Sequence, residues 1–268
     1  MPTDLFQSRS TMRVAPQYQP VCREIGLDGD AVFTHELIRP WRTLPGDREN
    51  CTLDATLRSG QSIRWHVKRY QPQLKLTTRA EDEVKGYRAL HDAGVPTAAL
   101  VGWGRLSDRR SFVITDDLEG YDDSEKLIEN GIATFEQLLE PIADLTAKLH
   151  NAGLHHRDLY LCHFFTKLDG ADVRDVRLID VARVRKLVSP FTRRRWIVKD
   201  LAQFWYSTTK LPGVSDELRR RWIERYGAQR GIDASELIPA IVRKSNWIAR
   251  HDAKLRREQP DRNVSIPD

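Results

Sequence analysis

Two short stretches hold the residues whose types and spacing could do chemistry. The first runs from His155 and His156 through Arg157, Asp158, Tyr160 and Cys162 to His163, Phe164 and Phe165. The second is the apolar run from Val176 to Ile179 that ends in Asp180. A carboxylate following His-Arg can accept a hydroxyl proton. A carboxylate closing an apolar strand can hold a divalent cation. Set on facing loops, the two suit transfer of a phosphoryl group from ATP, with magnesium on the nucleotide, to an acceptor hydroxyl. His-Arg-Asp alone occurs by chance, so its surroundings decide its meaning.

Those surroundings must place the loops. Residues 31–38 read as a strand. Residues 51–58 and 62–70 alternate apolar and polar around the turn Ser59-Gly60, which is a hairpin signal. Residues 79–93 read as a helix stopped by Gly94, with Pro96 beyond, and residues 110–115 as another strand. Thr134 and Gln137 make a capping box. Phe135, Leu138, Leu139, Ile142, Leu145 and Leu149 then share one helical face that ends near Gly153. Strands with one helix, a connector, then helices around two loops resemble an α+β, two-lobed, protein-kinase-like fold. The boundaries expected are an irregular arm at 1–25, a strand-rich N-lobe at 26–115 and a mainly helical C-lobe at 116–268.

In the strand-rich half, Lys68 stands near a strand end and Glu83 lies fifteen residues on, in the helix. A strand lysine held by a helix glutamate clamps the α- and β-phosphates of ATP, and a compact ammonium suits phosphate oxygens. Glu81 is the competing partner.

The stretch His156 to Phe164 resembles the signature of the lipopolysaccharide core kinases, the heptose kinases and their Kdo-kinase relatives, which have a protein-kinase-like fold. Tyr160, Cys162 and His163 separate that signature from ordinary protein kinases. Glu83 to Val95 is similar to the family's second helix and following turn, and Phe112 to Leu118 to its strand and hinge. Arg195 to Leu201, with Tyr206 and Ser207, is similar to its later helix. The likeness runs from about Val32 to about Tyr226. It implies transfer of the ATP γ-phosphate to a sugar hydroxyl of the lipopolysaccharide inner core. The hinge residues Thr115, Asp116, Asp117 and Leu118 are expected beside the nucleotide.

The expected catalytic residues are Asp158, Lys68, Glu83 and Arg157, with Arg157 holding the loop locally. Asp180 is expected on magnesium. His163 stands five residues after Asp158, where protein kinases carry an Asn ligand. Imidazole is a poor partner for magnesium, so His163 ligates directly, works through water, or only orders the loop. His155 reads as a packing or surface histidine and Cys162 as a small core residue.

Several features depart from ordinary protein kinases. No Gly-x-Gly-x-x-Gly precedes Lys68, so residues 39–50, with Gly46 as their one flexible point, are expected to cover the phosphates. Asp180-Val181-Ala182 stands in place of Asp-Phe-Gly and no Ala-Pro-Glu follows. A phosphorylation-switched loop and a protein-substrate groove are therefore not expected. Between Val181 and Lys199 there are seven basic residues and no acidic one. Arg193, Arg194 and Arg195 are expected to hold an anionic acceptor, with a helix beginning only after them. Peripheral contact with an anionic membrane surface is the companion expectation. Nucleic acid is not expected, since no recognised binding module accompanies the basic run.

Composition limits the classes further. With 40% hydrophobic and 30% charged residues, the 268-residue chain has an ordinary globular composition. Cys22, Cys51 and Cys162 lack paired spacing and read as reduced thiols in a cytoplasmic protein. A polar N-terminus with Asp4 is not expected to be a secretory signal. A net charge of +5 mildly favours an anionic partner. The classes left are a core-sugar kinase, a kinase of the same fold acting on Kdo, another small molecule or a protein, and a catalytically dead binding module. Lys68, Glu83, Asp158 and Asp180 together disfavour the last.

Overall fold

The computed structural model describes residues 10–258 except Pro45 and Lys75. It divides into two units, residues 10–88 with 98–118, and residues 89–97 with 119–258.

The first unit is built on β1 (Thr11–Val14), β2 (Ile38–Leu44), β3 (Arg48–Thr56), β4 (Ser62–Tyr70), β5 (Leu100–Arg105) and β6 (Ser111–Asp116), with α1 (Gln19–Glu24) and most of α2 (Arg79–Asp92). Its antiparallel sheet has the order β1-β5-β6-β4-β3-β2. Alternation along β4 turns Trp65 and Val67 into a core with Leu53, Val101, Phe112 and Ile114. Lys68, one residue on, points to the other face. Close approach of β1 to β5 requires Gly104, where a Cβ would lie 2.6 Å from the Phe112 ring and nearer still to the Thr11 carbonyl. A reciprocal cap starts α2. Glu81 N–H donates to Thr78 Oγ1 (3.2 Å) and Thr78 N–H to Glu81 Oε2 (2.7 Å).

The second unit contains β7 (Tyr121–Asp123), α3 (Ser124–Glu129), α4 (Phe135–Asn151), β8 (Leu154–His155), β9 (Phe164–Asp169), β10 (Asp172–Leu178), β11 (Arg185–Lys186), α5 (Pro190–Ser207), α6 (Asp216–Arg230) and α7 (Ile238–Glu258). The Thr134–Gln137 capping box opens α4, and all six residues of its expected apolar face are buried. Phe204 of α5 stacks on Trp222 of α6, with centroids 3.9 Å apart, and Phe164 meets Phe204 edge-on. Truncating any of these three aromatics to Ala would cost about 3–5 kcal/mol.

Some expectations need correction. Residues 31–33 form a 3-10 turn, not a strand. Asp28 accepts the Ala31 N–H (2.8 Å) and His35 Nδ1 the Leu37 N–H (3.2 Å), and such local bonds favour a turn over extended backbone. In the arm at 1–25, residues 1–9 lie outside the described residues. The remainder is not irregular, since it holds β1, a 3-10 turn and α1. Residues 39–50, expected to cover the phosphates, form most of the β2–β3 hairpin, with Gly46 at positive φ in its turn. Helix α5 starts at Pro190, so the three arginines lie inside its first two turns and not ahead of it. Proline suits a first helical position because no intrahelical partner awaits its missing N–H.

Candidate active site

In the first unit, Lys68 Nζ lies 2.8 Å from Glu83 Oε1, and Tyr70 Oη donates to Glu83 Oε2. Glu83 is wholly buried, so its carboxylate depends on these two donors. Burial, then the adjacent Glu83, raises the Tyr70 pKa well above the ordinary value, which keeps the hydroxyl a donor. Glu81, the competing partner, spends its carboxylate on the helix cap. The acidic side chains of the expected hinge are bound within the same unit. Asp116 accepts from Tyr18 Oη (2.8 Å) and Asp117 meets His66 Nε2 (2.7 Å). The Asp116 N–H goes to the Ala99 carbonyl (2.9 Å) and the Asp117 N–H to the Arg64 carbonyl (3.2 Å).

In the second unit, the His-Arg-Asp stretch leaves β8, which pairs with β11 in the register His155 to Arg185. Helix α5 holds it from one side. Asp200 accepts the His156 N–H on Oδ2 (2.6 Å) and the Arg157 N–H on Oδ1 (2.8 Å). Gln203 Oε1 accepts the Leu159 N–H (3.3 Å) and Ser207 Oγ the Leu161 N–H (3.0 Å). Spacings of three and four put these three polar side chains on one helical face. Lys199 donates to the Arg157 carbonyl. Asp200 is wholly buried and also meets His150 Nε2 at 3.3 Å. Burial alone would raise its pKa. The hydrogen bonds from His150 and the His156 backbone outweigh burial and hold it below the usual carboxylate range. Arg157 is kept at φ 70°, a conformation that is rare without glycine and costs about 1–3 kcal/mol.

Three expected residues converge. Donor atoms of Asp158, His163 and Asp180 all lie within 4.8 Å of one another. His163 Nδ1 is 2.7 Å from the Asp158 carbonyl oxygen, which can only accept. Nδ1 therefore carries a proton, and Nε2 faces Asp180, 3.9 Å from its Oδ2. Asp180 itself adopts a left-handed conformation, with φ 55° and ψ 55°. The Ile179 N–H donates to the His163 carbonyl (2.9 Å), and His156 Nε2 donates to the Ile179 carbonyl (3.0 Å), so one backbone bond and one side-chain bond tie the two loops. Two carboxylates fit magnesium, which takes oxygen and keeps several waters. An imidazole is a ligand that manganese or zinc would use more readily. Asp158 Oδ1 is also approached by Gln203 Nε2 (3.4 Å) and Arg183 Nη1 (3.5 Å). Burial, then the nearby Arg183, pushes the Lys199 pKa down to about 8.

Other residues fall in place around this cluster. His155 is a packing histidine. It is buried against Trp196 at 4.8 Å, and burial drives its pKa down to about 4. Burial, then Glu125, raises the Cys162 thiol pKa, which leaves that sulfur unreactive. Arg157 lies over the Trp196 ring at 4.7 Å and Arg195 at 5.5 Å. Arg193, Arg194 and Arg195 are all exposed, in a helix whose first turn has no acidic residue.

Sequence reasoning gave no role to Asp200, Gln203, Ser207 or Arg183. A readable signal existed for the first three: polar residues at helical spacing among Leu201, Ala202, Phe204 and Trp205, where only satisfied polar groups can be buried.

Comparison with known proteins gives concordant results. The model of the lipopolysaccharide kinase (Kdo/WaaP) family matches residues 43–226. The lipopolysaccharide core heptose(I) kinase WaaP of Pseudomonas aeruginosa is 31% identical over 160 residues, covering 55% of this chain and 59% of that protein. The protein of the same description from Escherichia coli K12 is 30% identical over 145 residues, covering 49% and 54%. The chain thus spans little more than half the length of these relatives. The family match takes in most of this chain, with Lys68, Glu83, Asp158, His163, Asp180 and Asp200 all inside it. By that match the chain belongs to the lipopolysaccharide kinase (Kdo/WaaP) family.

Proposed function

We propose that this protein is an ATP-dependent sugar kinase that transfers the γ-phosphate to a hydroxyl of an inner-core heptose of lipopolysaccharide. The observation that carries this reading is the convergence of Asp158, His163 and Asp180 in a chain of this family. The curated relatives are named core heptose(I) kinases, which favours heptose over another acceptor. The fold that goes with the reading is the two-lobed kinase fold, with lobes at 26–115 and 116–268.

Each residue then has a task. Lys68, held by Glu83 and Tyr70, neutralises the α- and β-phosphates. The hinge from Thr115 to Leu118 lies beside the adenine. Asp158 orients the acceptor hydroxyl and takes its proton as the phosphoryl group moves. Gln203 and Arg183 steady its Oδ1, and its other oxygen faces the acceptor. Asp180 would hold magnesium, with His163 as a further ligand, a ligand through water, or a residue that orders the loop. Magnesium, when bound, offsets charge on the nucleotide phosphates. The transition state is loose, so placement of these groups outweighs their basicity. Arg193, Arg194 and Arg195 receive the anionic core. An enzyme of this kind works in the cytoplasm, peripheral at the inner face of the inner membrane. No helix among the described residues is long and apolar enough to cross one.

The test is to incubate the protein with ATP and truncated core oligosaccharides and to locate the phosphate by mass spectrometry and NMR. Phosphate on a heptose hydroxyl supports the reading. Phosphate on Kdo, or ATP turnover without any sugar product, overturns it.

A further inference from the structure

The start of α5 exposes apolar side chains that the chemistry above does not use. Phe191 is 95% exposed and Val188 83%, with Lys186 exposed two residues before Val188. Phe191 and Arg195 stand four residues apart in α5 and share a face. Trp247 on α7 is 49% exposed, with Lys244 Nζ 3.4 Å from its ring centroid. Helix α7 packs against α5, and burial, then the nearby Arg195, lowers the Lys244 pKa. No acidic residue occurs from Val181 to Lys199 or from Ile238 to His251.

Large apolar side chains fully in water, ringed by arginine and lysine, match one environment in both respects. An anionic bilayer offers apolar depth under a negatively charged surface. Phenylalanine and valine enter the acyl boundary, tryptophan sits at headgroup level, and the long basic side chains reach the lipid phosphates. An acceptor sugar alone would account for the arginines but not for Phe191 or Val188. We propose that this edge of the second unit is a docking surface for an anionic membrane, with Phe191 and Val188 inserting and the α5 arginines, Lys244 and Trp247 lying at the interface. Docking of this kind rests on the peripheral placement proposed above. It is tested with neither nucleotide nor sugar present, so its failure and a failure of the kinase reading are told apart.

The experiment is co-sedimentation of the full chain with phosphatidylglycerol-containing vesicles and with pure phosphatidylcholine vesicles, across a salt series. Binding to the anionic vesicles alone, weakening with salt, is expected. The double variant Phe191→Ser with Val188→Ser should bind at least about tenfold more weakly. Changing Arg193, Arg194 and Arg195 to Gln should weaken binding by about a hundredfold, at about fivefold per charge. Circular dichroism should show both variants folded. The double Ser variant should keep its activity on a soluble, lipid-free acceptor. A Phe191→Trp variant should be quenched by brominated lipid. No binding to anionic vesicles, equal binding to both kinds, or unchanged binding of the double Ser variant would each overturn the proposal.

Discussion

Replacing Asp200 with Asn challenges the tether under the Asp158 loop. The carboxylate accepts the His156 N–H on one oxygen (2.6 Å) and the Arg157 N–H on the other (2.8 Å), with His150 Nε2 at 3.3 Å. An amide keeps one acceptor oxygen and turns an NH2 group toward the second backbone N–H. A buried donor left without an acceptor costs about 1–3 kcal/mol. The surviving bond loses its charge assistance, roughly half its strength. The total is about 2–4 kcal/mol, which at about 2–4 °C per kcal/mol lowers Tm by about 5–15 °C. Activity should suffer more than stability. Arg157 is strained at positive φ and relaxes once its tether weakens, and a shift of about 1 Å at Asp158 costs about a hundredfold in kcat. Thermal unfolding and sugar-kinase turnover measure the two effects. The pH dependence adds a signature. The folded pKa of Asp200 lies below the unfolded value of about 3.9. Its contribution is therefore full above that value and is lost as pH falls through the folded pKa. The wild type should lose this stability on acidification below about pH 4, and the Asn variant should lack that part of the slope. An Asn variant with wild-type Tm and turnover would refute the tether.

Four further outcomes are expected. Lys68→Ala should lower turnover at least about a hundredfold without unfolding the chain, because Tyr70 still donates to Glu83. Glu83→Gln should give a milder loss, and Glu81→Gln should change turnover and stability little, since glutamine still closes the capping box, read by urea unfolding. Asp158→Ala and Asp180→Ala should each abolish phosphoryl transfer. Calorimetry should show ATP binding kept in the first and its magnesium dependence lost in the second, and near-wild-type turnover in either would refute the assignment. His163→Asn should move the metal preference in activity from manganese toward magnesium, since oxygen replaces imidazole; an unchanged ratio means that His163 only orders the loop. With a soluble acceptor, neutralising Arg193, Arg194 and Arg195 should raise the acceptor KM and flatten its salt dependence while the ATP KM stays level.

Local patterns made much of the molecule legible. Strict alternation over residues 51–70 specifies the β3–β4 hairpin, and the Thr134–Gln137 box with its apolar stripe specifies α4. Spacing brought out Lys68 with Glu83 and Asp158 with Asp180, because each pair needs only one strand and one neighbouring element. What stayed hidden depends on distant partners. β1 is four residues long and exists by pairing with β5. β10 alternates poorly around a bulge between Val173 and Asp175, and its register comes from β9. Asp200 is forty-two residues beyond Asp158, and nothing local announces that its carboxylate closes on the backbone of that loop.

Helix α5 divides its length between two duties. Residues 190–195 present charge and apolar surface outward, and residues 199–207 grip the loop that carries Asp158. The outer turns hold none of the bonds to that loop described above. Substitutions there can change what is recognised while the reacting groups stay where they are. Under the function proposed above, acceptor choice can change through the first two turns of one helix without disturbing the residues that hold the Asp158 loop. For engineering, residues 190–195 are the segment to randomise, and positions 200, 203 and 207 are those to leave alone.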